Sequence, residues 1–245
     1  MPESGTQFVH VLIRLVNECG CIHGYQDRGI EHLASPFFSI DSDPRLDTED
    51  NEIALYAMQS ALMKGAEKRY GKFEENRIFP RPFYMQDERE GNSRIMGLLE
   101  DYDFGIKIGM MFDTWERAFY QVCHEAIHLL NPATAPIGQP IIAATLDEGV
   151  AVKFAEEMYA EYIADYCSMC YLDSPLQAPG NKYEQAYNAT RKIPDATLRT
   201  IRSEFGGFTQ AHDAKHLLDM AGEYIIESEA ELLTSNFQLL MLEQR

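Results

Sequence analysis

The stretch Cys123-His124-Glu125-Ala126-Ile127-His128-Leu129-Leu130 limits what this chain can fold into more than any other. His124 and His128 are four positions apart, so in a helix of about 3.6 residues per turn their rings stand one above the other, with Glu125 beside them. Ala118, Phe119, Val122, Ala126, Ile127, Leu129 and Leu130 are apolar and require most of that helix to be buried. Burying two imidazoles and a carboxylate is costly unless a partner satisfies them, and a divalent metal would do so. Neutral imidazoles ligate zinc, and a glutamate next to them can take a proton from a water held there. The helix has its own boundaries: Asp113 or Thr114 to cap the start, Glu116 in the first turn, and Asn131-Pro132 to stop it.

With 245 residues, 45% of them hydrophobic, the chain can bury one large core or two small ones. A charged fraction of 24%, with 13 Phe and 13 Tyr, excludes a disordered chain. The formal charge of −18, with no basic run, repels phosphate, so nucleic acid is excluded as a partner and a basic protein or peptide is favoured. The apolar run Phe8–Val16 is broken by His10 and Arg14, and no run is long enough to span a membrane. The expectation is a cytoplasmic protein with reduced thiols. Cys19-x-Cys21 and Cys167-x-x-Cys170 are then either buried thiols or a second metal site.

Along the chain, residues 8–18 have a period that does not separate strand from helix. Residues 20–50 read as loops around Phe37-Phe38-Ser39-Ile40, and Asp50–Tyr70 reads as a helix ended by Gly71. Two prolines in Arg77–Tyr84 confine any strand there to an edge. Phe104–Phe112 alternates, with Phe104, Ile106, Ile108, Met110 and Phe112 on one side, which predicts a strand with one buried face. A free edge on that strand would suit an extended peptide. A second long helix starts near Ala143 and is broken by Asp173-Ser174-Pro175. Helical pieces follow at about 181–192, 195–205, 213–221 and 224–243.

A catalytic zinc usually has three protein ligands, so a third is needed. The metzincin continuation requires glycine at 131 and histidine at 134, and this chain has Asn131 and Thr134. Downstream, nineteen residues separate His128 from Glu148, and Leu146-Asp147-Glu148-Gly149-Val150-Ala151 resembles the E-G-x-A stretch of the gluzincin group of zinc metallopeptidases. The resemblance covers roughly residues 104–165. It implies zinc held by His124, His128 and Glu148, Glu125 as general base, and a protein or peptide substrate. It also implies a zincin-like α+β fold, mostly α: a small sheet and the active-site helix in residues 1–131, and a helical part in 132–245 carrying the third ligand, together one catalytic unit. Thr145 and Glu148 also fit a capping box, the alternative use for that glutamate.

The thermolysin-like pattern has an aspartate four residues after the glutamate ligand, where this chain has Val152, so Asp147 and Glu157 become the candidates for holding a ligand ring. Gly149 would let the second helix approach the first. Gluzincins commonly supply an oxyanion donor from the C-terminal part, and Tyr183, Tyr187, His212, His216 and Tyr224 all qualify. His212 and His216 could equally form a second metal site or be surface histidines. A catalytically silent binding module and a metallohydrolase acting on another bond are the alternative functions.

Overall fold

A computed structural model describes residues 3–22, 29–73, 81–84, 93–97, 104–132, 142–164 and 174–237. In chain order these form α1 (Glu3–Cys19), α2 (Gly29–Leu33), α3 (Glu49–Tyr70), β1 (Phe83–Tyr84), β2 (Arg94–Gly97), β3 (Phe104–Ile108), α4 (Trp115–His128), α5 (Thr145–Tyr162), α6 (Lys182–Thr190), α7 (Asp195–Phe205), α8 (Ala214–Ala221) and α9 (Glu227–Thr234). The described chain is mostly helical, with one small mixed sheet.

The ambiguous N-terminal segment is helical because Phe8, Val11, Leu12, Leu15, Val16 and Cys19 recur at three- and four-residue spacing and are buried together. The Thr48 hydroxyl starts α3 by accepting from Asn51 N–H, and Gly71 ends it at φ 95°. Asn51, buried at that start, donates to the Asp43 and Leu46 carbonyls and accepts from Asp41 N–H. The acidic loop is thereby tied down, and the Trp115 indole donates to Asp41 O at 2.7 Å from the next layer. Phe37–Ile40 lies in that loop region and forms no strand.

In the sheet, β3 lies between β1 and β2. It pairs in parallel with β1 at Lys107 and Ile108, and antiparallel with β2 from Phe104 to Lys107. Two expectations fail here. The strand stops at Ile108, where a turn from Gly109 to Phe112 takes over, and all five of its residues are buried, Lys107 with 0% exposure. Among the described residues β3 is the middle strand, flanked by β1 at Lys107 and Ile108 and by β2 from Phe104 to Lys107 and packed on by α4, where an edge strand open to a peptide was expected.

α4 is the centre of the packing. Its Trp115 stacks on Phe8 at 5.2 Å, and Phe119 meets the same ring edge-on. α3 packs between α1 and α4, α5 packs along α4, and α6 and α9 pack on α5. A single apolar cluster joins residues from Phe8 to Leu233. Arg202 on α7 locks two helix ends: its buried guanidinium donates to the Tyr70 and Gly71 carbonyls after α3 and to Leu130 O and Asn131 Oδ1 after α4. Cys19 and Cys21 are buried free thiols, while Cys167 and Cys170 lie outside the described residues; the helix expected at 224–243 runs only from Glu227 to Thr234, Asn236 bridging Ala144 instead, and its positions beyond 237 lie outside the described residues. No helix among the described residues is long and apolar enough to cross a membrane.

Candidate metal centre

Thr114 caps α4 by accepting from Arg117 N–H, and three turns later the helix presents His124 and His128 on one face, ring centroids 5.0 Å apart. Their Nε2 atoms lie 3.2 Å apart. α5 brings Glu148 to the same point from its first turn, with Oε2 3.2 Å from His124 Nε2 and 3.8 Å from His128 Nε2. Tetrahedral ligands at about 2.0–2.2 Å from a zinc stand roughly 3.3–3.6 Å from one another. The three separations, 3.2, 3.2 and 3.8 Å, bracket that spacing. Glu148 Oε2 is buried and, among the described residues, meets no well-aligned hydrogen-bond donor, although His124 Nε2 lies 3.2 Å away. A buried carboxylate oxygen left in this way among two imidazole nitrogens is what a cation would satisfy. His124, His128 and Glu148 could therefore hold a metal ion.

The start of α5 excludes the capping-box use of Glu148. Its N-cap is Ala144, which has no side chain to cap with, and the Thr145 hydroxyl donates instead to Ser235 O at 2.9 Å. Thr145 N–H donates to the same carbonyl, Phe237 N–H donates to Ala143 O, and Ala144 bridges Asn236 antiparallel. The C-terminal segment thus fixes where the ligand helix begins and leaves the glutamate free to face the histidines. Gly149 is required, though not for the reason expected: a Cβ there would lie 2.2 Å from Thr190 Oγ1 and 2.9 Å from Ala186 O, both on α6 rather than α4.

Of the two residues considered for holding a ligand ring, Asp147 does so, its Oδ2 2.8 Å from His128 Nδ1. Glu157 faces away and pairs with Arg69 at 2.6 Å and Lys153 at 2.9 Å. Burial opposes a charged His128, but Asp147, Glu148 and Glu125 outweigh it and raise the ring to about 10. Burial likewise opposes charge on Glu148, yet His128 and His124 hold its carboxyl below the usual value. Glu125, 5% exposed, goes the other way: burial raises its carboxyl, the two imidazoles pull it back, and Glu148 and Asp147 add to the rise.

Among the tyrosines and histidines considered for the oxyanion, Tyr183 reaches the site, its ring 6.3 Å from that of His124. Burial raises its hydroxyl, followed by Glu148 and Glu125. Tyr187 instead lies under Arg191, and His216 is exposed against Phe205. His212 is exposed before α8 begins and its Nδ1 donates to Thr234 O, so the two histidines do not share a helix face. Tyr224 packs on the core. Phe237, which no sequence pattern singled out, packs edge-on against Tyr183 at 4.9 Å. Only folding brings position 237 to position 183. Comparison with family models, curated proteins and solved structures finds no match to this chain.

Proposed function

We propose that this chain is a zinc-dependent metallopeptidase with a zincin-like fold and a gluzincin-type site, hydrolysing peptide bonds of a protein or peptide substrate in the cytoplasm. The observation that carries the proposal is the meeting of His124, His128 and Glu148 from two helices, with Glu125 beside both histidines yet outside the ligand set. A structural zinc would be closed by a fourth protein ligand; among the described residues this group offers three. When bound, zinc would act as a Lewis acid toward the carbonyl and acidify water.

The chain's own residues supply the rest. Glu125, with its carboxyl raised by burial, takes the proton of the attacking water and delivers it to the leaving amine nitrogen; a raised carboxyl suits both transfers near neutral pH. Tyr183 keeps its hydroxyl protonated and is the group beside His124 able to donate to the developing oxyanion. Asp147 keeps a proton on His128 Nδ1 and leaves Nε2 for ligation.

Zinc stoichiometry and cleavage of an unfolded protein test this together. Wild type should bind about one zinc per chain, and changing both His124 and His128 to Ala should abolish binding. Glu125→Gln should keep the metal and lose at least about a hundredfold in rate, since general acid–base catalysis contributes on the order of 10² to 10⁴. Full zinc occupancy with no cleavage of any peptide by wild type would favour a binding module, and near-normal activity of Glu125→Gln would rule out its role as base.

A further inference from the structure

Away from the metal centre, α1 and the segment after α2 enclose an open groove of about 290 Å³. Val9 and Ile13 on α1 form one wall, and Leu33, Phe38 and Ile40 form the other. Leu33 and Ile40 belong to the core, while Val9, Ile13 and Phe38 are only partly covered by it. Between the lining residues Pro36 and Phe38, Phe37 stands 90% exposed. Single exposed apolar residues are ordinary, but an apolar groove with an exposed phenyl ring at its rim is a surface shaped to be covered. Its volume lies just under the roughly 300–1,000 Å³ of a small-molecule pocket and suits one or two large side chains.

Charge decides what covers it. Glu31 stands just before Leu33, Asp41 follows Ile40, and Asp50 accepts from Ser39 N–H at 2.8 Å, so three carboxylates flank the lining segment. None of the three pairs with a lysine or arginine among the described residues, and the arginine between them in sequence, Arg45, is held by Asp43 at 2.7 Å. We propose that this groove is a docking surface for a basic, amphipathic segment of a partner protein, its apolar face in the groove and its lysines or arginines against Glu31, Asp41 and Asp50. A second copy of this chain, at −18, and an anionic lipid surface are both repelled by such a rim, whereas cations beside an apolar face are attracted. Both walls meet at Trp115. Phe8, the residue before Val9, stacks on the indole at 5.2 Å, and the indole N–H donates to Asp41 O at 2.7 Å. Trp115 begins α4, whose axis rises about 14 Å from there to His124. The groove is thus a surface distinct from the metal centre, and docking there needs neither metal nor hydrolysis.

The test titrates the full chain with a labelled helical peptide of about 18 residues, leucines recurring at helical spacing on one face and lysines filling the other. Anisotropy reads binding. Trp115 is the chain's one tryptophan, so its emission, followed with unlabelled peptide, reports whether the groove is the place. Wild type should bind with a Kd at or below about 100 µM, more weakly as salt rises, and with a change in emission. A scrambled peptide of the same composition, and one with glutamate for lysine, should bind at least about tenfold more weakly. Ala34→Phe, at an exposed lining position, fills the groove; it should weaken binding at least about tenfold and remove the emission change. Glu31→Lys should weaken it about 3- to 10-fold. Both variants alter exposed side chains and should melt within about 4 °C of wild type. No binding at about 100 µM, equal binding of the scrambled or acidic peptide, or full affinity in Ala34→Phe overturns the proposal. So does concentration-dependent dimerisation that Ala34→Phe abolishes, which makes a second copy the occupant.

Discussion

Gly149 gives the sharpest test of how the ligand helix is held. An alanine there puts a methyl carbon 2.2 Å from Thr190 Oγ1, 2.9 Å from Ala186 O and 3.1 Å from Thr190 Cβ. The hydroxyl can rotate, but the carbonyl belongs to the α6 backbone, so α5 and α6 must separate by roughly 0.5 Å to restore ordinary contact. Overpacking of this kind costs about 1–3 kcal/mol, and a contact this short lies at the upper end. Replacing a helical glycine by alanine returns about 1 kcal/mol of helix propensity, which leaves a net loss of roughly 2 kcal/mol. Denaturant unfolding of the metal-free protein should show it as a lower midpoint at unchanged slope. Because Glu148 is the neighbouring residue, zinc affinity should fall by at least about tenfold as its carboxylate leaves the roughly 0.2 Å tolerance of a ligand set. Thr190 Oγ1 is buried without a hydrogen-bond partner, so Thr190→Ala alone should be nearly neutral, and combined with Gly149→Ala it should recover about 1 kcal/mol. Strict additivity of the two changes, or a Gly149→Ala protein as stable as wild type, would refute the close approach of α5 to α6.

Arg202→Met should cost about 3 kcal/mol or more, because a buried cation serving carbonyls at the ends of α3 and α4 is replaced by a side chain that leaves those acceptors unmet; a loss under about 1 kcal/mol in denaturant unfolding would count against the clamp. Zinc binding should release protons at pH 7. In metal-free protein His128 is raised to about 10 and carries a proton on Nε2 that a metal must displace, so affinity rises with pH up to that value. Calorimetry in buffers of different ionisation enthalpy measures the release, and an unchanged apparent enthalpy across buffers would contradict it.

The parts legible in the sequence were those whose signals are local. Thr114, Glu116 and Asn131-Pro132 bound α4 because caps and stops act within a few residues, and Thr48 and Gly71 do the same for α3. The place of Glu148 beside the two histidines was readable because the resemblance fixed its spacing. What failed depended on contacts between distant residues. Alternation in β3 records one apolar side and carries no information about how many strands flank it. The neighbour that demands glycine at 149 is on α6, at Thr190 and Ala186, and no pattern in α5 names it. Tyr183 is one of several tyrosines in a helical region; its selection follows from the packing of α6 on α5, which brings its ring to His124. Asp147 was readable as one of two candidates for holding a ligand ring, but the choice between it and Glu157 was not, since the turn that aims it is set by Ser235 and Asn236.

That last dependence has a consequence for biosynthesis. Thr145 is fastened to Ser235, ninety positions later, and Phe237 N–H closes the same small ladder on Ala143. During translation the histidine helix and the glutamate helix leave the ribosome well before Ser235 does. Until it emerges, Thr145 has no Ser235 carbonyl to donate to and Tyr183 has no Phe237 behind it. A nascent chain halted before residue 235 therefore holds His124, His128 and Glu148 without the fastening at Thr145 that fixes where α5 begins.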